Sequence, residues 1–307
     1  MKKTNPSVAV ILVNWKKYTL TSKCIDSINK SIYKNFKIIL IDNQYTEKYL
    51  IELKNKHKDI IVFKDKSNLG FTGANNIGIS YALENDFDYI MLLNNDTEVE
   101  ANFILPLIER LEENFFLAAV QPLILNYYSK NIIWNAGGKL NKFFGTTQTR
   151  LNNKELNPKL VFNDFTDWIS GCCILIKSEI VKKTGLLDEK FFAYYEDVDW
   201  SLRMKGLGYE LGFVKESIVY HHGSSSSKDN NKKEGNLSAK VHYFNIRNHI
   251  LFLKKHKNLF NLFGIVFFQV LKITSYTIYF LIRFRFNKLS MVFKGIKHSL
   301  NNKQYFL

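Results

Sequence analysis

The chain has 307 residues and a mass of 35.9 kDa, which suits about two structural units or one large α/β unit with an appendage. Hydrophobic residues make up 46% and charged residues 23%, with 15 glycines and 4 prolines, so global disorder and collagen-like or low-complexity architecture are excluded. Three cysteines, two of them adjacent (Cys172, Cys173), exclude a disulfide framework and a spaced zinc site and fit a reducing cytoplasm.

The net charge of +15 is unevenly placed: residues 228–307 carry 15 Lys/Arg against 2 Asp/Glu, while residues 1–227 stand near +2. A basic tail on a near-neutral body implies attraction to a polyanion, either an anionic membrane surface or nucleic acid. The opening Met-Lys-Lys precedes an apolar run, Val8 to Val13, that is too short for a signal-peptide core, so no targeting segment is expected there.

In chain order, Val8–Val13 reads as a strand buried on both faces, and Thr19–Asn29 as a helix with Leu20, Cys24 and Ile28 on one side. Lys37–Asp42 is a second buried strand ending in an acid. Tyr49–Lys58 has helical spacing, Ile60–Lys64 is a short strand, and Asn75–Leu83 is helical again. Tyr89–Leu93 is a fourth strand running into Asn94, Asn95 and Asp96. This rhythm predicts a mostly parallel, doubly wound α/β sheet, whose ligands sit beyond the carboxyl ends of the strands. Residues 120–190 read as short strands and polar loops with one apolar strand, Cys172–Ile176. A helix then carries Glu196, Asp197 and Asp199 in its first turn and stops at Gly206. Ser217–Tyr220 is a strand ending in His221–His222, and Ser224–Asn236 reads as a loop or linker. Leu262–Ile282 has 21 residues and one charge. Its polar positions Gln269, Lys272, Tyr276, Tyr279 and Arg283 fall on one helix face between basic flanks. An in-plane interfacial helix therefore fits better than a membrane span or a core helix.

Several clusters carry possible chemistry. Asp96, with two amides before it at a strand exit, suits Mg²⁺ or Mn²⁺ and a diphosphate, although Asx residues there also form turns. The glycine-containing loop Asn68–Asn76 allows close backbone approach to a nucleotide, but it is neither a Walker loop nor a dinucleotide fingerprint. Glu196, Asp197 and Asp199 either complement the helix dipole or, behind Phe191, Phe192, Tyr194 and Tyr195, supply a general base of raised pKa. His221 is either structural or a metal ligand.

Taken together, the order of strand–Asn14, strand–Asp42, Asn68-x-Gly70-Phe71, Asn94–Asn95–Asp96, Trp168-x-x-Gly171, Phe191–Arg203 and His221-x-Gly223 resembles the family 2 inverting glycosyltransferases of GT-A fold. Within them the chain looks most like the rhamnosyltransferase and galactofuranosyltransferase branch. The resemblance runs from residue 7 to about residue 255, through Tyr243–Asn248. It implies that Asn14, Asp42, Asn68, Gly70, Asn75, Asn94 and Asn95 bind the donor and that Asp96 and His221 hold a divalent metal, Mg²⁺ or Mn²⁺. It further implies that Asp197 is the catalytic base and that Trp168, Gly171 and Glu196 lie towards the acceptor. Asn94 departs from the family's Asp-x-Asp pattern, which makes that contact neutral.

The resemblance implies transfer of a sugar, rhamnose first, from a nucleotide sugar to a glycan or polyprenyl-linked acceptor. dTDP-rhamnose is the first donor expected and a UDP-sugar the second. Residues 1–227 would form the catalytic domain, with a nucleotide-sugar half (1–120) and an acceptor half (121–227). Residues 228–307 would form a basic helical extension that associates with the inner face of the plasma membrane or with a second subunit. Nucleic-acid binding through Arg283–Phe286 leaves the strand-end acids unexplained, so no nucleic acid is expected. Intact Asp96, Asp197 and His221 argue against an inactive scaffold.

Overall fold

The computed structural model describes residues 5–223 and 237–301, so the loop expected over 224–236 lies outside the described residues. Within these, one compact unit falls in Met1–Lys139, Thr149–Phe192 and Glu196–Gly223, and a second in Leu140–Gln148, Ala193–Tyr195 and Ser224–Leu307.

The first unit begins as the apolar runs dictate. Strands β1 (Val8–Asn14), β2 (Phe36–Asn43), β3 (Ile61–Asp65) and β4 (Tyr89–Asn94) alternate with helices α1 (Tyr18–Asn29), α2 (Glu47–Lys56) and α3 (Gly70–Glu84). In β1, Val8, Val10 and Leu12 enter one core with Cys24, Ile25 and Ile28 of α1, while Ala9 and Ile11 enter another with Ala74 and Ile79 of α3. That two-sided burial is why the strand reads as continuous rather than alternating. Beyond β4 come β5 (Thr97–Val99), α4 (Leu105–Glu113), β6 (Leu117–Asn126), β7 (Ile133–Asn135), β8 (Gly138–Asn141), β9 (Thr146–Thr149) and β10 (Cys173–Lys177). Then follow α5 (Ser178–Thr184), α6 (Glu196–Gly206) and β11 (Glu210–His221).

The main sheet runs β3-β2-β1-β4-β10-β6-β11-β5, with β7 on β6. Parallel pairing holds over β3-β2-β1-β4, as expected, and recurs between β6 and β11. The sheet as a whole is mixed, because β10 folds back against β4, Cys173 opposite Leu93 and Lys177 opposite Tyr89. The helix expected from Asn75 starts five residues earlier, at Gly70, so the glycine segment forms its first turn rather than a loop.

The second unit holds the β8–β9 hairpin and three helices, α7 (Ala239–Lys255), α8 (Leu262–Ile282) and α9 (Phe286–Leu300). Ile246, Phe280, Leu289 and Val292 form its core. Gly295 of α9 lets the helices close up, since a Cβ there would lie 2.9 Å from the Tyr243 carbonyl. The bounds of α8 match expectation, and Asn261 caps it by accepting the Gly264 N–H at 2.9 Å. The side of its polar stripe is set by α7. Gln269 and Lys272 turn inward to His249 of α7, and the apolar side is left exposed.

Candidate active site at the strand ends

The carboxyl ends of β1, β2 and β4 lie side by side, Asn14 opposite Asp42 and Val13 opposite Asn94. Asn14 is fully buried; its amide donates to Asp42 Oδ1 at 2.7 Å. Its oxygen accepts from the Thr21 hydroxyl at 2.9 Å, the Lys17 N–H at 3.1 Å and the Asn95 amide at 3.3 Å. The Tyr18 hydroxyl donates to Asp42 Oδ2 at 2.9 Å. Burial raises the Asp42 carboxyl above its usual range, opposed by the hydrogen bonds from Asn14 and Tyr18, and pushes the Tyr18 phenol up to about 12.

Asn43, next along β2, organises the following segment and was not among the site residues expected from sequence. It donates to Asn68 Oδ1 at 3.0 Å and the Gly70 carbonyl at 3.2 Å, and accepts the Leu69 N–H at 2.8 Å. Its signal was its place beside Asp42 at a strand end. Asn68 Oδ1 also accepts the Gly70 N–H at 3.0 Å. Gly70 has φ of +72°, and a Cβ there would meet the Phe192 ring and carbonyl at 2.6 Å, so both backbone and space demand glycine. Asn75 is held along its own helix, donating to the Phe71 carbonyl at 2.8 Å. Asn76 ties α3 to Leu187, donating to its carbonyl and accepting its N–H, both at 3.0 Å.

At the exit of β4, the Asn94 N–H donates to the Cys172 carbonyl at 2.9 Å, and its side chain makes no hydrogen bond among the described residues. Asn95 bonds back to Thr21 at 2.8 Å. Asp96 Oδ1 lies 3.2 Å from His221 Nε2, while His222 turns to Glu98 at 3.3 Å and stacks on Tyr127. His221 is therefore the histidine that meets Asp96. Among the described residues no group of three or more His, Cys, Asp and Glu side chains converges. The pair nevertheless suits a divalent cation. Two donor atoms 3.2 Å apart have the separation of neighbouring ligands around an ion with bonds of about 2.1–2.2 Å. His221 Nδ1 is buried without a partner, and the remaining positions would fall to diphosphate oxygens and water. The mixed nitrogen and oxygen set favours Mn²⁺ over Mg²⁺.

The third group forms where α6 begins. Asp197 is partly buried; its Oδ2 accepts the Gly171 N–H and its Oδ1 the Val198 N–H, each at 2.8 Å. Gly171 packs on Phe71, a Cβ there standing 3.2 Å from its ring, which brings this group up to the start of α3. Glu196 is buried, and its Oε2 has no hydrogen-bond partner. Burial raises both carboxyls. The charge of Asp197 raises Glu196 further, whereas the backbone N–H groups of Gly171, Val198 and Asp197 itself hold Asp197 back. Both groups thus hold a proton more tightly than in water, Glu196 well above its ordinary value. Asp199, fully buried, pairs with Arg203 at 2.9 Å, and that guanidinium also donates to the Thr184 and Leu186 carbonyls. One turn of helix thus holds two carboxyls of raised pKa and a structural ion pair. Trp168 stacks its indole over Gly138, and its Nε1–H donates to the Lys139 carbonyl at 3.4 Å. Cys172, between the Asp96 and Asp197 groups, is buried like Cys24 and Cys173, and burial with both nearby charges holds its thiol well above its ordinary value.

A sequence profile of glycosyl transferase family 2 matches residues 7–185. The chain is 27% identical over 212 residues to the low-salt glycan biosynthesis hexosyltransferase Agl10 of Haloferax volcanii, covering 67% of this chain and 64% of that protein. It is 25% identical over 224 residues to the rhamnosyltransferase WbbL of Escherichia coli K12, covering 70% and 83% respectively. A crystal structure of GalNAc-T7 with UDP, GalNAc and Mn²⁺ superposes with a TM-score of 0.62 at 18% identity, over 82% of this chain and 48% of that one, and carries the same GT-A fold. The chain thus spans about two thirds of the first relative and half of the solved neighbour.

Proposed function

The chain belongs to glycosyl transferase family 2, and from that premise we propose that it is a metal-dependent inverting glycosyltransferase of glycan biosynthesis. The donor is a nucleotide sugar, dTDP-rhamnose first and a UDP-sugar second. The acceptor is a glycan or polyprenyl-linked glycan at the cytoplasmic face of the plasma membrane. Residues 1–120 supply the donor half, 121–227 the acceptor half, and 228–307 the membrane-associating extension. The observation that carries the reading is Asp197, whose two carboxylate oxygens accept the Gly171 and Val198 N–H groups at the start of α6, beside the buried Glu196.

In this reading Asn14, Asp42, Asn68, Gly70, Asn75, Asn94 and Asn95 line the donor. The Asn14–Asp42–Tyr18 network supports it, because side chains fixed by one another need not reorganise when a base or ribose arrives. Asp96 and His221 hold a divalent ion, which when bound supplies charge neutralisation for the departing nucleoside diphosphate. Asp197 takes the proton of the acceptor hydroxyl onto a carboxylate oxygen as that hydroxyl attacks the anomeric carbon from the face opposite the leaving group. Trp168, Gly171 and Glu196 flank the acceptor side. The sugar's identity is supported by the WbbL relationship, a protein named as a rhamnosyltransferase.

The test is a panel of nucleotide sugars with and without Mn²⁺, read first as melting temperature. A ligand that binds the native state alone raises it. A metal-dependent shift with one donor is expected, and Asp197→Asn should keep that shift while losing turnover by at least about 100-fold. An Asp197→Asn protein that turns over normally, or that loses only donor binding, would overturn the assignment.

A further inference from the structure

Helix α8 is amphipathic the wrong way round for a helix of a water-soluble unit. Its polar side faces the protein. His249 of α7 fixes that side: its Nε2–H donates to the Gly145 carbonyl at 2.8 Å, which leaves Nδ1 to accept from Gln269 at 3.0 Å and Lys272 at 3.1 Å. Burial lowers the Lys272 ammonium to about 8, so this inward rotation is held against a desolvation cost. At 100° per residue, fixing Gln269, Lys272 and Tyr276 inward sends Phe263, Phe267, Val270, Leu271, Ile278 and Ile282 outward. Each of those six is at least half exposed, Phe263 at 74%. The result is an apolar strip about 30 Å long that the helix cannot turn away from water.

The charge around the strip is of one sign. Residues 237–301 contain eleven Lys and Arg and no Asp or Glu. Lys254, Lys255 and Lys257 precede α8, and Arg283 and Arg285 follow it. An apolar strip with cations at both ends complements one surface above others, the acyl–headgroup boundary of an anionic bilayer. A second copy of this chain would bring like charge against like. A span would put lipid against Gln269 and Lys272, which are committed to His249.

We infer that the outward face of α8 docks in the plane of an anionic bilayer, with the polar side kept on the protein. The inference deepens the membrane location in the proposed function but does not depend on the reaction.

Flotation of the full chain with vesicles of phosphatidylcholine alone, or mixed with phosphatidylglycerol, tests it. The chain should rise with the anionic vesicles, less so at high salt, and stay down with neutral ones. The doubly substituted Phe267→Glu, Leu271→Glu chain should lose about tenfold or more of the bound fraction. Both positions are exposed, so folding should be unaffected, and the donor-dependent rise in melting temperature, measured on the same samples, should persist. Failure of the parent chain to float, or equal flotation of the variant, overturns the inference. So does a dimer that the substitutions dissociate, since the occupant would then be a second copy. Resistance of the bound chain to alkaline carbonate, the sign of a span, overturns it as well. Flotation without any donor-dependent shift would count against the glycosyltransferase reading alone, and a shift without flotation against the docking face alone.

Discussion

Three acids within four residues of α6 do three different things, and each is set by its immediate neighbours. Glu196 is buried beside the Asp197 charge and holds its proton above the ordinary value of 4.5. Glutamine is nearly its isostere in that state, so Glu196→Gln should retain activity within a few-fold, whereas a true ionised participant would lose far more. Steady-state rates of the two proteins decide this. The same shift has a stability consequence. The native state binds this proton more tightly than the unfolded chain, so the contribution is fully present below the ordinary carboxyl range and is lost as pH rises from 4.5 through the raised value. Melting curves across that window should fall less steeply for Glu196→Gln than for the parent. The rate itself should show an acidic limb with a midpoint above 3.8, the ordinary value for Asp197, because burial raises that group too. Asp199 is different again. Arg203→Ala should cost about 3 kcal/mol, since it strands a fully buried carboxylate together with the two carbonyls that Arg203 caps, and chemical denaturation would measure it.

At the scale of elements, the segment that leads into α6 is unusual. Phe192, Tyr194 and Tyr195 all have φ between +61° and +72°, a region costly for bulky side chains, about 1–3 kcal/mol each. Asn248 of α7 donates to the carbonyls of Ala193 (2.7 Å) and Tyr194 (2.9 Å), holding them there. Asn248→Ala should let the segment relax, and Glu196 follows it directly in the chain. The expected outcome is a kcat reduced about tenfold or more with donor KM little changed, read from steady-state kinetics. A purely structural loss would instead lower the melting temperature with kcat intact. Parts of this were legible beforehand. The strands buried on two faces announced themselves as apolar runs, and α8 was bounded to the residue by its polar flanks. The antiparallel insertion of β10 was not, because Cys173–Lys177 carries no mark of which strand it joins; that choice is made by β4 and β6, distant in sequence. The start of α3 at Gly70 was also hidden, since glycine is a poor helix former and only the close approach of Phe192 explains it. The polar residues at strand ends stood out by position, Asn43 beside Asp42 among them, whereas Asn76, inside α3, binds the Leu187 backbone far along the chain and left no local pattern.

On the scale of the whole molecule, stability and ligand response should separate. Asp96 Oδ1 and His221 Nε2 lie within hydrogen-bonding distance of each other, 3.2 Å apart. Chelation should therefore leave the melting temperature of the protein alone within about 1 °C while abolishing the additional rise produced by donor; calorimetry with and without EDTA tests both halves. The charge is divided likewise, nearly neutral through residue 227 and strongly positive after it, so salt should modulate attachment to surfaces much more than donor affinity. The three cysteines give this protein an internal clock. All are buried, and the Cys24 thiol is pushed up to about 12, so the closed native state presents almost no thiolate to an alkylating reagent. Labelling must wait for an opening event, and Cys172, beside Gly171, should report openings that a bound donor suppresses while Cys24, on the buried face of α1, reports the parting of that helix from the sheet. A purification without reductant should then yield unmodified protein, and the rate at which each cysteine gains an adduct would trace how often its surroundings come apart.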